Sequence, residues 1–158
     1  LRITPLIQGG TGIYGDSYVN PEAFPESYEA GTLNMPAIWA LKNAVEYINE
    51  HISEMNKTES GLTQYLVKSM TALPNVIVYN ADKPRVSTLA FNVKGKSSSD
   101  VVALLDKNGI CVRGGIHCAI LAHETLGTVK SGAVRVSMNS YNTKDEIDAF
   151  IKVIGGIN

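Results

Sequence analysis

The residues best equipped for chemistry are Arg113-Gly114-Gly115-Ile116-His117-Cys118, followed by Arg135 within Gly132-Ala-Val-Arg-Val-Ser-Met-Asn139. A thiol attacks as its thiolate, a form that nearby fixed positive charge stabilises. A guanidinium fork matches a carboxylate through two parallel hydrogen bonds. Together these types point to a reaction on a small amino acid with Cys118 as nucleophile. Two glycines loosen the approach to the thiol, and His117 stands beside it. Blander readings stay open: free cysteines are often buried hydrophobes, and an arginine on a strand can snorkel to solvent. Arg135, however, has no acidic residue within five positions on either side. A charge so placed needs an anion from elsewhere.

Other candidates carry weaker signals. Cys111, inside Ile110-Cys111-Val112, is expected to pack rather than react. His117, Cys118, His123 and Cys111 could be set out as a soft metal site, but there is neither a paired CxxC nor an HxxxH, so no metal is expected. His51 reads as a structural residue at a helix end. Gly9-Gly-Thr-Gly12 lacks the GK[ST] of a P-loop. Gly31-Thr32 can bind a phosphate through a backbone N–H and a hydroxyl, or can simply turn the chain.

The elements that must position these residues follow from periodicity. The first thirty-odd residues are rich in Gly, Pro, Tyr and Ser and show no period, which suits a functional or docked arm. Ile38, Leu41, Val45, Ile48 and Ile52 predict an amphipathic helix over 36–52, with Pro36 in its first turn. Leu62, Leu66, Met70 and Leu73 predict a second over 58–73. Strands are expected at 76–79, 87–93, 110–113 and 133–138. A helix capped by Ser98 or Ser99 should run to Lys107, another should span 118–126 and end at Gly127, and Thr143-Lys-Asp-Glu146 is a capping box opening the last. The fold class expected is α+β: a small, mostly antiparallel sheet covered on one face by helices, with an N-terminal arm.

With 158 residues, 44% hydrophobic residues and a net charge of −1, the chain fits one soluble domain with a real core and no polyanion-binding balance. Nucleic acid is not an expected partner. No apolar run approaches the roughly 20 residues that span a bilayer, and no leader opens the chain, although a start at Leu1 rather than Met reads as an excised piece. Two cysteines fit a reducing, cytoplasmic setting.

Taken in order, Gly-Gly-Thr-Gly12, Tyr-Glu-Ala-Gly-Thr-Leu-Asn34, Val-Arg-Gly-Gly-Ile-His-Cys-Ala119, Leu-Ala-His-Glu-Thr-Leu-Gly-Thr128 and Val-Arg-Val-Ser-Met-Asn-Ser-Tyr-Asn-Thr143 resemble one family over nearly the whole chain. The likeness is to the C-terminal part of class V aminotransferases, in the branch of cysteine desulfurases and selenocysteine lyases. It implies a homodimeric fold-type-I enzyme using pyridoxal 5'-phosphate, acting on L-cysteine or selenocysteine and handing sulfur to an acceptor protein. By that resemblance Cys118 is the sulfur-accepting cysteine, Arg135 binds the substrate α-carboxylate, and Arg113 and His117 belong to the substrate site. Gly31 and Thr32 reach the cofactor phosphate of the neighbouring subunit. Residues 1–34 would be an arm at the cofactor and dimer interface and 35–158 the small domain. The Schiff-base lysine, which follows a His in the family, has no counterpart here and is expected upstream in an absent large domain, leaving this chain inactive alone. Ile120 stands where relatives often carry Pro. Two other readings remain: a selenocysteine lyase or other β-eliminating class V enzyme in which Cys118 is dispensable, and a dimerisation or packing module with no activity of its own.

Overall fold

A computed structural model describes residues 3–13 and 15–157. The chain divides into two compact units, residues 1–50 and 51–158.

In the first unit the aperiodic segment is held by hydrogen bonds between its turns. Gly31 N–H donates to the Gly10 carbonyl at 2.7 Å, Gly9 N–H to Asn20 Oδ1 at 3.1 Å, and the Tyr28 hydroxyl to the Ile3 carbonyl at 2.6 Å. A 3-10 turn occupies Glu26–Tyr28. Helix α1 (Met35–Thr71) begins here, with Asn34 Oδ1 accepting from Ala37 N–H at 3.1 Å. That side chain takes one of the four N–H groups a helix start leaves unpaired. Its early apolar stripe is open: Ile38, Trp39, Leu41 and Val45 are all exposed.

The two helices expected over 36–52 and 58–73 are one. The residues between them, Ser53-Glu-Met-Asn-Lys57, contain neither Pro nor Gly. A loss of apolar period removes packing, but nothing there removes a backbone donor, so the hydrogen-bonded ladder continues. His51 is therefore interior to α1 rather than at a helix end.

The second unit is a four-stranded sheet in the order β1 (Val76–Val78), β2 (Thr88–Val93), β4 (Ala133–Ser137), β3 (Arg113–Gly115), every pair antiparallel. Side chains alternate across a strand. One face carries Leu89, Phe91, Val93 and Val134, all buried. Over it pack Leu66 and Met70 of α1, Val101 and Leu105 of α2 (Ser98–Lys107), and Ile147, Phe150 and Ile154 of α4 (Lys144–Gly155). Phe91 meets Phe150 edge-on with centroids 5.8 Å apart, a preferred aromatic geometry. The helix-covered sheet expected from sequence is the sheet found.

Local signals locate most ends. Thr143 and Glu146 form the predicted reciprocal box at the start of α4, and α3 (Ile120–Leu126) stops at Gly127, whose φ is 68°. The cap of α2 is Ser97, not Ser98 or Ser99: its hydroxyl accepts from Asp100 N–H at 3.1 Å and Asp100 returns the bond to Ser97 N–H. Among three consecutive serines, the one three residues before an acid satisfies two orphan donors at once. The strand expected at 110–113 lies instead at Arg113–Gly115, because Ile110 N–H still closes the end of α2 onto the Leu105 carbonyl at 3.0 Å.

Gly114 is where strand and helix meet most closely. A Cβ there would lie 2.7 Å from Val102 Cγ2 and 3.1 Å from the Ser98 carbonyl oxygen. Gly114→Ala should therefore destabilise by about 1–3 kcal/mol through overpacking. Gly61, inside α1 with nothing within 4 Å of such a Cβ, should do the reverse on replacement by Ala, gaining up to about 1 kcal/mol. Urea unfolding of both variants checks this pair of opposite signs.

Candidate functional site

The antiparallel register of β3 on β4 sets Arg113 directly opposite Arg135. Directly paired residues project from the same face with Cβ atoms about 4.5–5.5 Å apart, and like charges so placed are destabilising. Among the described residues neither guanidinium has an ion pair; the salt bridges there join Lys42 to Glu46, Lys83 to Asp82 and Lys144 to Asp148. Arg113 is exposed and Arg135 half-buried. They lie on the face away from the helices, in one row with Ala90 of β2. Two fork-shaped cations with no internal anion make a seat for a carboxylate.

The thiol hangs from the end of the same strand. Backbones converge at its root: a Cβ on Gly132 would stand 2.9 Å from Gly115 Cα and 2.5 Å from Ser98 Oγ. Beyond Gly115 the chain turns through His117 and Cys118, both left-handed with φ of 54° and 56°. Two consecutive non-glycine residues in that region are uncommon, and such strain persists only where surroundings enforce it. One enforcing contact is visible: His117 Nε2 lies 3.2 Å from the Arg113 carbonyl. A carbonyl only accepts, so Nε2 carries the proton and donates. The neutral ring therefore keeps its lone pair on Nδ1.

His117 is surrounded by positive or potentially positive groups. Burial holds its pKa below the ordinary histidine value; the bond to the Arg113 carbonyl opposes that, while the charges of Arg135, His123 and Arg113 add to it. The ring is thus uncharged at neutral pH. His123, on α3, lies with its ring centroid 5.9 Å away, is buried, and shares a 2.7 Å hydrogen bond between Nδ1 and the Thr128 hydroxyl.

The structure thus gathers four residues singled out by type and spacing: Arg113, Arg135, His117 and Cys118. Cys118 is exposed rather than a buried hydrophobe. Cys111 corrects its expectation of packing, since it too is exposed. Its segment closes α2 instead of joining the sheet, which leaves the thiol lining a cavity of about 440 Å³ with Leu66, Val136, Met138 and Phe150. Among the described residues no group of three or more His, Cys, Asp or Glu is arranged for a metal ion. Sequence reasoning missed the pairing of the two arginines and the His117 bond to the strand. The Gly-Gly pair was the available signal for the close packing beneath them.

Gly31 and Thr32 lie in the first unit. Gly31 adopts φ 89° and spends its N–H on Gly10, so its contribution is conformational. Thr32 is exposed, and among the described residues its N–H and hydroxyl hold no hydrogen bond. Those two free donors suit a phosphate oxygen. In this respect the residues present fit pyridoxal phosphate.

Comparison with known proteins gives the family. A "Cysteine desulfurase" of Cronobacter sakazakii is 35% identical over 133 residues, which is 82% of this chain and 31% of the relative. A "Probable cysteine desulfurase" of Synechocystis is 32% identical over 155 residues, 94% of this chain and 36% of the relative. Among solved structures, an Escherichia coli cysteine desulfurase in its S-sulfonic acid form matches with a TM-score of 0.75 and 28% identity, over 96% of this chain and 38% of that one. The chain accordingly spans about a third of the length of these proteins, from 31% to 38%. A sequence model of the family described as "Aminotransferase class-V" matches residues 2–150. That match takes in the Thr32 turn, the opposed arginines and the Cys118 loop alike, and the chain belongs to the class V aminotransferases.

Proposed function

We propose that this chain is the thiol-bearing part of a cysteine desulfurase dependent on pyridoxal 5'-phosphate, converting L-cysteine to alanine and a Cys118 persulfide. One observation carries the reading: two guanidiniums without an ion pair among the described residues, opposed across β3 and β4, stand at the root of the loop that presents an exposed thiol. Arg135 grips the substrate α-carboxylate, with Arg113 beside it. The grip fixes the substrate sulfur with respect to Cys118, converting an encounter into an oriented attack. The Cys118 thiolate forms a bond to that sulfur as the carbon–sulfur bond breaks. The carbon side keeps the electron pair and takes a proton, giving alanine. Pyridoxal phosphate supplies the electron sink for this cleavage, and Thr32 would hold its phosphate.

In this reading the Schiff-base lysine and the large cofactor domain lie outside the chain, so the chain alone has no turnover. Residues 1–34 form an interface arm and 35–158 the small domain. A homodimer fits the exposed Leu6, Tyr18, Phe24 and Trp39, because apolar surface of that extent marks contact with another body. The persulfide then passes to a thiol or an acceptor protein. Both cysteines are free, which supports a reducing, cytoplasmic setting. Among the described residues no helix is long and apolar enough to cross a membrane.

Two variants of the full-length enzyme test the assignment. Cys118→Ala should abolish alanine release from L-cysteine; sustained release from that variant would favour a β-eliminating lyase, and parallel assays on selenocysteine show whether the thiol is needed for either substrate. Arg135→Lys keeps the charge but loses the planar fork. It should lower kcat/KM by about 1–3 kcal/mol of transition-state binding, the scale of a charged hydrogen bond. Near-native kcat/KM would refute the carboxylate grip.

A further inference from the structure

We propose that Asn20 is a positioning residue for the cofactor phosphate: it pins Gly9-Gly10, and that pair in turn holds the turn at Gly31 that presents Thr32. The inference rests on the reading above, in which Thr32 holds the phosphate of pyridoxal 5'-phosphate, and adds the residues that aim it. All of them lie in the first unit.

Thr32 follows Gly31, whose φ of 89° is open to glycine and strained for other residues. The direction of the Thr32 N–H and hydroxyl therefore depends on how that turn is held. Gly31 N–H ties it to the Gly10 carbonyl at 2.7 Å. Beside that bond, a Cβ placed on Gly9 would stand in ordinary contact with Ala30 Cβ, at 3.7 Å. A glycine pair makes a poor anchor by itself, because glycine has the most backbone freedom to lose. Packing does not supply the anchor. A Cβ on Gly10 would meet nothing within 4 Å, and the pair lines a polar cavity of about 300 Å³ with Gln8, Thr11 and Ser17.

Asn20 supplies it. Its Oδ1 accepts from Gly9 N–H at 3.1 Å, across eleven residues of chain. Pro21 restricts the backbone of the residue before it, so the side chain that bonds Gly9 projects from a stiffened position. The other end of the amide is unused: Nδ2 is buried and, among the described residues, has no partner. A buried donor left unpaired costs stability. An asparagine here is thus poorly suited to holding the arm together in general and well suited to holding Gly9. Two bonds in series, Asn20 to Gly9 and Gly10 to Gly31, carry its restraint to the turn before Thr32. Donors fixed in this way meet a phosphate oxygen without first having to be ordered, and that saving appears as affinity.

Equilibrium dialysis of the full-length apoenzyme against pyridoxal 5'-phosphate, and against pyridoxal, which lacks the phosphate, tests this. Thr32→Ala should weaken binding of the phosphorylated form by about tenfold or more, the scale of a hydrogen bond to a charged group. Asn20→Ala should weaken it by about two- to tenfold, the scale of one neutral hydrogen bond. Neither should change the affinity for pyridoxal. In the double variant, Asn20→Ala should add nothing to Thr32→Ala, because it acts through that residue. Hydrogen exchange resolved to single residues should show the Gly31 N–H released in Asn20→Ala, while the Ser27 N–H, bonded to the Ala23 carbonyl at 2.8 Å, keeps its rate. If Thr32→Ala leaves the affinity unchanged, the phosphate reading falls and the brace with it. If Thr32→Ala weakens binding and Asn20→Ala does not, the brace is wrong and the phosphate reading stands. Full additivity in the double variant, an equal loss of affinity for pyridoxal, or faster exchange at both Gly31 and Ser27 means that Asn20 supports the arm in general, and overturns the proposal.

Discussion

The opposition of Arg113 and Arg135 across an antiparallel register is the constraint from which the rest of the site follows. An antiparallel pair gives each residue one partner, and a slip of one position would send one of the arginines through to the helix-covered face. There it would meet Phe91, Val134 and Leu105, all fully or almost fully buried, with no anion to receive it. The core thus enforces the pairing: burying Val134 on one face obliges Arg135 to take the other, and the pairing of Gly114 with Val134 brings Arg113 alongside. Repulsion between the two is tolerated because the alternative, an unpaired charge in the core, costs far more. Apolar packing on one face is what holds a site of unbalanced charge open on the other.

The same economy explains the loop. Gly114 and Gly132 let α2, β3 and the start of β4 approach to distances that a side chain would forbid. That close packing fixes where β3 ends. From a fixed end, the chain bends sharply through two left-handed residues, at a cost of roughly 1–2 kcal/mol each. Burying even one large core side chain such as Phe91 returns about 1.5–3 kcal/mol, so the strain is affordable in a unit with this core. His117 does double work here. Its donated hydrogen bond closes the bend, and burial together with the charges of Arg135, His123 and Arg113 opposes a proton on the ring.

The sequence made some of this legible. Thr143-Lys-Asp-Glu146 announces a helix start through reciprocal bonds confined to four residues, and Gly127 announces a stop through one backbone angle; both are local, and both were readable. Ser87 to Val93 is a short run of β-branched and aromatic residues after the polar turn at Pro84, and so reveals a strand. Failures arose where geometry depends on residues far apart. Cys111 looked like strand core because Ile110 and Val112 flank it, yet Ile110 still serves the end of α2. Helix α1 looked like two because its period lapses around Asn56, although polarity alone does not break a backbone ladder. The facing of Arg113 and Arg135 required the register, which no single stretch encodes.

His117 shows why residue type and spacing reach only part of a mechanism. Beside a cysteine, a histidine suggests an acid–base partner. Which nitrogen is available depends on the Arg113 carbonyl, and whether the ring is charged depends on burial and on three cations or potential cations from β3, β4 and α3. Those groups are separated in sequence but meet at the edge of one small sheet.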